Sequence, residues 1–164
     1  MMKKLMIVLA SLFLLFGCMG SEKKEAAPAA AGSESAIQVK TKGFVEELKK
    51  EHAGKVLLVN FFASWCPPCR GETPDFVAAY EKYKDSNFVI VGISVDKALK
   101  DVEGYQKEFN VTYPLYHSDN DLAMEMNIST IPTTFIYKPD GKLFDMVVGP
   151  LTAKELDIIA TSFK

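Results

Sequence analysis

The stretch Ala63 to Pro74, ASWCPPCRGETP, sets Cys66 and Cys69 three residues apart in a chain whose only other cysteine is Cys18. Two thiols at this spacing can ligate a metal, close a small loop or exchange electrons. A structural zinc site needs four ligands. Beyond the pair the sequence offers only His52 and His117, neither beside a second ligand, so no metal is expected. Both histidines lie in polar segments and read as solvated. A purely structural disulfide fits poorly, because closing so small a loop removes little entropy from the unfolded chain. The tight loop suits reversible chemistry better.

The positions of the two thiols are unequal. Cys66 follows an apolar run and opens a helix, where unpaired N–H groups and the positive end of the dipole favour a thiolate. It is expected to be the exposed, attacking thiol. Cys69, one turn inward, is expected to resolve a mixed disulfide by thiol–disulfide exchange. Pro67 and Pro68 suit a helix start but bring no N–H, which leaves the Cys69 N–H as the nearest donor to the Cys66 sulfur. Weak stabilisation of the thiolate argues against a strong oxidant, since stabilising the reduced form is what raises the potential.

Around this pair the sequence alternates in period. Phe44–Lys50 is amphipathic at helical spacing, and Val56–Ala63 (VLLVNFFA) is a nearly continuous apolar run of the kind a doubly buried strand needs. A helix from Cys66 to about Tyr83 and a second buried strand, Phe88–Val95, complete a βαβ unit. Ala98–Phe109 reads as helix, Thr112–Tyr116 as a short extended piece and Asn120–Met126 as a helical turn or two. Thr133–Tyr137, the turn Lys138–Gly141 (KPDG) and Leu143–Val148 form a hairpin. Thr152 caps a final helix to about Phe163, with Glu155 at the capping-box position. The order predicts an α/β fold, a mostly parallel sheet with an antiparallel edge hairpin and flanking helices.

WCPPC at Trp65–Cys69 after VNFFAS, with Ile131–Pro132 ahead of the TTFIY strand, resembles the thioredoxin superfamily. More narrowly it is similar to membrane-anchored extracytoplasmic thiol–disulfide oxidoreductases of the TlpA and ResA type, over roughly residues 37–164. The resemblance implies a thioredoxin-like fold with an inserted segment between Ala98 and Tyr116. It implies that Pro132 is a cis-proline facing the cysteines, and that Trp65, Pro67, Pro68, Ile131 and Pro132 contact an extended client. Glu72 matches an acidic residue three positions after the second cysteine; at i,i+3 it shares a helix face with Cys69, so a partly buried carboxylate there could take or return a proton. Pro74 matches a helix-kinking proline. Phe62 stands where the family often has Trp. No cofactor is implied beyond the Cys66–Cys69 disulfide. The implied partners are client protein disulfides, such as apocytochrome c before haem attachment in cytochrome c biogenesis, and a membrane thiol electron carrier of the CcdA or DsbD kind.

The N-terminus reads as an export signal. Met1–Lys4 is basic, and Leu5–Phe16 is an apolar run too short to span a bilayer comfortably. LFGC at Leu15–Cys18 resembles a bacterial lipobox. Residues 1–17 are therefore expected to be a lipoprotein signal peptide, with Cys18 lipidated and residues 18–36 a flexible tether of small and charged residues. As a coil, Ser21–Ala36 would span on the order of 20 to 25 Å. Lipidation also removes the odd thiol that an exported chain would otherwise carry. The expected location is the membrane surface facing the periplasm or extracytoplasmic space. Removing Lys3 and Lys4 from 19 basic residues against 21 acidic ones gives a mature formal charge of −4, and nothing points to nucleic acid. The expected state is a monomer.

The leading expectation is thus a dithiol reductant of client disulfides. The same chemistry in reverse gives a disulfide-forming oxidase or an isomerase. A peroxidase site of the peroxiredoxin kind wants Pro and Thr or Ser seven and three residues before its cysteine, whereas Cys66 has Val59 and Ala63, and Cys69 has Phe62 and Cys66. A copper-handling lipoprotein using the cysteines and His117 is a fourth reading.

Overall fold

A computed structural model describes residues 37–163. The expected signal peptide, the lipidated Cys18 and the tether to residue 36 lie outside the described residues. Eleven elements follow in order: β1 (Gln38–Lys40), α1 (Phe44–Glu51), β2 (Val56–Phe62), α2 (Pro67–Tyr83), β3 (Phe88–Ser94), α3 (Leu99–Glu108), β4 (Leu115–Ser118), α4 (Asn120–Glu125), β5 (Thr133–Tyr137), β6 (Leu143–Val148) and α5 (Ala153–Ser162).

The strands form one sheet in the order β1-β4-β3-β2-β5-β6. The β1–β4, β4–β3 and β3–β2 pairs are parallel; β5 runs antiparallel to both β2 and β6. This is the expected parallel sheet with its edge hairpin. Every residue of β2 and β3 is buried, which explains why their sequences are continuous apolar runs instead of alternations. Alternate side chains feed two cores. One packs Val56, Leu58, Phe62 and Ile90 against α2, α3 and α5. The other packs Leu57, Val59, Phe61, Val91 and Ile93 against α1 and Leu122 of α4.

Two elements differ from expectation. The extended piece read at Thr112–Tyr116 begins at Leu115. Pro114 has no N–H for the ladder, although its carbonyl accepts from Gly92 N at 2.9 Å, and Tyr113 is buried in the core ahead of the strand. β1 was not expected: three residues, two of them polar, give no readable period, and its place is fixed only by pairing with β4.

The turn of the hairpin behaves as its composition requires. Gly141 takes a φ of 77°, open to glycine, and its N–H donates to Lys138 O at 2.8 Å. At the end of the chain, Thr152 and Glu155 exchange the reciprocal bonds of a capping box.

Candidate active site

The buried strand β2 ends at Phe62, and four residues later Cys66 takes extended backbone angles as the N-cap of α2. Between them the Cys66 N–H closes a turn on Ala63 O at 3.1 Å. Pro67 and Pro68 occupy the first two helical positions, so the first N–H available to the cap is that of Cys69, which donates to Cys66 Sγ at 3.3 Å. Cys66 and Cys69 are joined as a disulfide with Cα atoms 5.3 Å apart.

The expected exposure of Cys66 is corrected: it is 3% exposed and Cys69 1%. The disulfide turns the Cys66 sulfur inward onto Cys69, and the cap position folds its backbone into the first turn of the helix. Both residues belong to the core cluster under α2. The polypeptide surface beside them is instead supplied by Trp65, 66% exposed, with Pro67 and Pro68 also exposed.

Ile131–Pro132 is the cis peptide bond of the described residues, directly before β5. Because Thr133 pairs with Phe61 of β2, this bend lies at the same end of the sheet as the Cys66 turn. Pro132 is buried, and its carbonyl accepts from Gly149 N at 2.9 Å. Ile131 is half-buried and packs against both cores.

Glu72 lies on the inner face of α2, 4% exposed. Its Oε1 accepts from Asn60 Nδ2 at 3.0 Å and its Oε2 from Leu151 N at 2.9 Å. Burial pushes its pKa up to about 7, against the opposing pull of the Leu151 and Asn60 hydrogen bonds. A carboxyl group so tuned can exchange a proton at neutral pH one helical turn from Cys69.

Several supporting residues escaped the sequence reading. Asn60 is the one polar side chain in the VLLVNFF strand, and it donates also to Thr134 Oγ1 at 2.9 Å. Its polarity inside a doubly buried strand was the available signal. Asp96, just beyond β3, accepts from Ser64 N at 3.0 Å, Ser64 Oγ at 2.7 Å and Ser94 Oγ at 2.6 Å. The Thr73 hydroxyl donates to Cys69 O at 2.8 Å and accepts from Tyr105 Oη of the inserted helix α3, whose oxygen also lies 3.3 Å from Cys69 O. Pro74 stands inside α2 as expected.

The reading of His117 as solvated is corrected too. His117 is 9% exposed in the middle of β4, between Val39 of β1 and Ser94 of β3, and its Nδ1 is buried without a hydrogen-bond partner. The strand carries it under cover because β1 pairs outside it. His52 caps the end of α1 and is half-buried, and that burial lowers its pKa. Among the described residues no three His, Cys, Asp or Glu side chains gather as a metal site.

Comparison with known proteins places these features. The chain is 34% identical over 105 residues to the thiol-disulfide oxidoreductase ResA of Oceanobacillus iheyensis; the match covers 63% of this chain and 55% of that relative, little more than half its length. It is 30% identical over 115 residues to the sporulation thiol-disulfide oxidoreductase A of Bacillus subtilis, covering 68% of this chain and 70% of the relative. Among solved structures, a thiol:disulfide interchange protein of the thioredoxin family from Chlorobium tepidum superposes with a TM-score of 0.66 at 34% identity, over 70% of this chain and 83% of that one. The fold is therefore thioredoxin-like. Residues 33–146 match the family model described as AhpC/TSA, and the chain belongs to that family.

Proposed function

We propose that the chain is a thiol–disulfide oxidoreductase working as a dithiol reductant of client disulfides. The observation that carries the reading is the Cys66–Cys69 pair at the N-terminus of α2, with the buried Glu72 one turn further along the same helix. In the reduced chain, Cys66 as thiolate attacks one sulfur of a client disulfide, forming a mixed disulfide and releasing the other client sulfur as a thiolate that takes up a proton. Cys69 then gives its proton to Glu72 and attacks Cys66 Sγ. The chain disulfide forms, the second client sulfur leaves, and two electrons have passed to the client. An external dithiol reduces the chain again.

The direction is supported by the donor count at the cap. With Pro67 and Pro68 carrying no N–H, Cys69 N is the N–H that reaches the Cys66 sulfur, which limits thiolate stabilisation and keeps the potential low. Trp65, Pro67, Pro68 and the Ile131 peptide are the groups that an extended client segment would meet. Pro132 shapes the bend, its own carbonyl being taken by Gly149.

The relatives named as thiol-disulfide oxidoreductases support the chemistry, and the resemblance to the TlpA and ResA type supports the finer reading. On that reading the chain is a monomeric lipoprotein held through Cys18 on the extracytoplasmic side. It draws electrons from a CcdA- or DsbD-like carrier and reduces clients such as apocytochrome c. Alkylating thiols in intact cells tests this directly. A pair found mainly reduced, and active on protein disulfides when purified, supports it; a pair found oxidised and oxidising dithiol peptides would make the chain a disulfide-forming oxidase.

A further inference from the structure

Ser64 precedes Trp65 in the turn that leads β2 into α2, and three of its groups are held. Its N–H and hydroxyl both donate to the Asp96 carboxylate, at 3.0 and 2.7 Å, and its carbonyl accepts from Arg70 Nη1 at 3.1 Å. Each partner is itself fixed. Asp96 is buried beyond the end of β3, accepts from Ser94 Oγ at 2.6 Å and returns its own N–H to that hydroxyl at 3.0 Å. Arg70 pairs with Glu108 of α3 and lies over the Phe109 ring, 4.9 Å from its centroid.

The turn closed by Cys66 N on Ala63 O has Ser64 and Trp65 as its central residues. Asp96 therefore acts on the residue next to the exposed indole and two before the first cysteine. Burying a carboxylate is costly unless donors surround it. Here two of the donors come from the one residue whose position decides where Trp65 stands. A large exposed side chain on an unrestrained turn would lose freedom each time a client bound, and a turn fixed in advance avoids that cost.

We propose that Asp96 is a positioning residue for client engagement: through Ser64 it fixes the Ala63–Cys66 turn, so that Trp65 stands preset beside the cysteines for a polypeptide disulfide. A small disulfide, which needs no indole platform, gains nothing from the clamp. The inference rests on the thiol–disulfide reading above.

The test compares insulin, a polypeptide disulfide, with hydroxyethyl disulfide, using the full chain and its D96A, D96N and S64A variants. D96A should raise KM for insulin about tenfold, a loss of about 1.4 kcal/mol in binding, while kcat, the reduction potential and the rate on hydroxyethyl disulfide stay within about twofold. D96N, whose Oδ1 can still accept from Ser64 N, should recover most of the loss. S64A, which keeps the backbone half of the clamp, should fall between; it carries the test if D96A does not fold. Equal losses on both substrates, a change in potential, or insulin kinetics unchanged in the folded variants would overturn the proposal. A parent chain inert toward both disulfides would overturn the thiol–disulfide reading itself, and the inference with it.

Discussion

Asn60 donates a 3.0 Å hydrogen bond to Glu72, joining the middle of a fully buried strand to the second turn of α2, the helix that Cys66 caps. With the Leu151 N–H on its other oxygen, the Glu72 carboxyl is held in the core by two neutral donors and no cation. Two hydrogen bonds offset only part of the desolvation, which is why the group titrates near neutrality instead of in the usual carboxylate range.

Glu72→Gln should therefore slow the resolving step and change its pH profile. In the proposed mechanism the ionised carboxylate accepts the Cys69 proton, so resolution of a mixed disulfide should quicken as pH rises through about 7. Glutamine keeps the shape and the acceptor oxygen but cannot take the proton. Stopped-flow measurement should find resolution slower by about 100-fold at neutral pH, the lower end of general acid–base effects, and the inflection gone. An unchanged profile would assign Glu72 a packing role alone.

Asn60→Leu should move that inflection upward. The Asn60 hydrogen bond favours the charged form, so its loss leaves desolvation less opposed. The same substitution strips Thr134 Oγ1 of its donor, and the variant should be less stable as well. The pH profile separates the two effects, because a purely structural loss would leave the inflection where it was.

Stability should carry the mark of Glu72. A carboxyl whose folded-state pKa is raised binds its proton more tightly in the native chain than in the unfolded one. Its contribution is full below the unfolded value near 4.5 and is lost as pH rises through about 7. The difference amounts to about 3 kcal/mol across that window. Urea titrations from pH 4.5 to 7.5 should show native stability falling relative to Glu72→Gln by an amount of this order; parallel curves would contradict the buried-acid assignment.

Much of this architecture was legible in the chain. Continuous apolar runs announced β2 and β3 because both faces of those strands are covered, and the CxxC after such a run stands at the start of α2 as its position implied. Glu72 was legible as a helix-face neighbour of Cys69, but its two donors were not. Asn60 and Leu151 lie 12 and 79 residues away in sequence, and only the folded sheet brings them to one carboxyl group. The Asp96 clamp on Ser64 has the same character at a separation of 32 residues. Burial of Cys66 and His117 was missed for a related reason: local composition reports polarity, whereas cover comes from a disulfide turned inward or from a strand such as β1 pairing alongside.

Gly92 shows how closely the sheet beneath the site is packed. A Cβ at this position in β3 would stand 2.5 Å from Leu115 Cδ2, 3.1 Å from Tyr113 Cε2 and 3.3 Å from Phe62 Cε1. Leu115 and Tyr113 belong to the core under α2, and Phe62 is the last residue of β2 before the Cys66 turn, so room can come only from displacing packed side chains. Gly92→Ala should cost about 1–3 kcal/mol by overpacking. Gly104 in α3 is the contrasting case: nothing lies within 4 Å of its Cβ position and its helical backbone suits alanine, so Gly104→Ala should stabilise the chain by up to about 1 kcal/mol. Thermal unfolding of the two variants side by side checks both signs. A neutral Gly92→Ala would mean that Leu115 and the β3–β4 pair yield more readily than their burial implies.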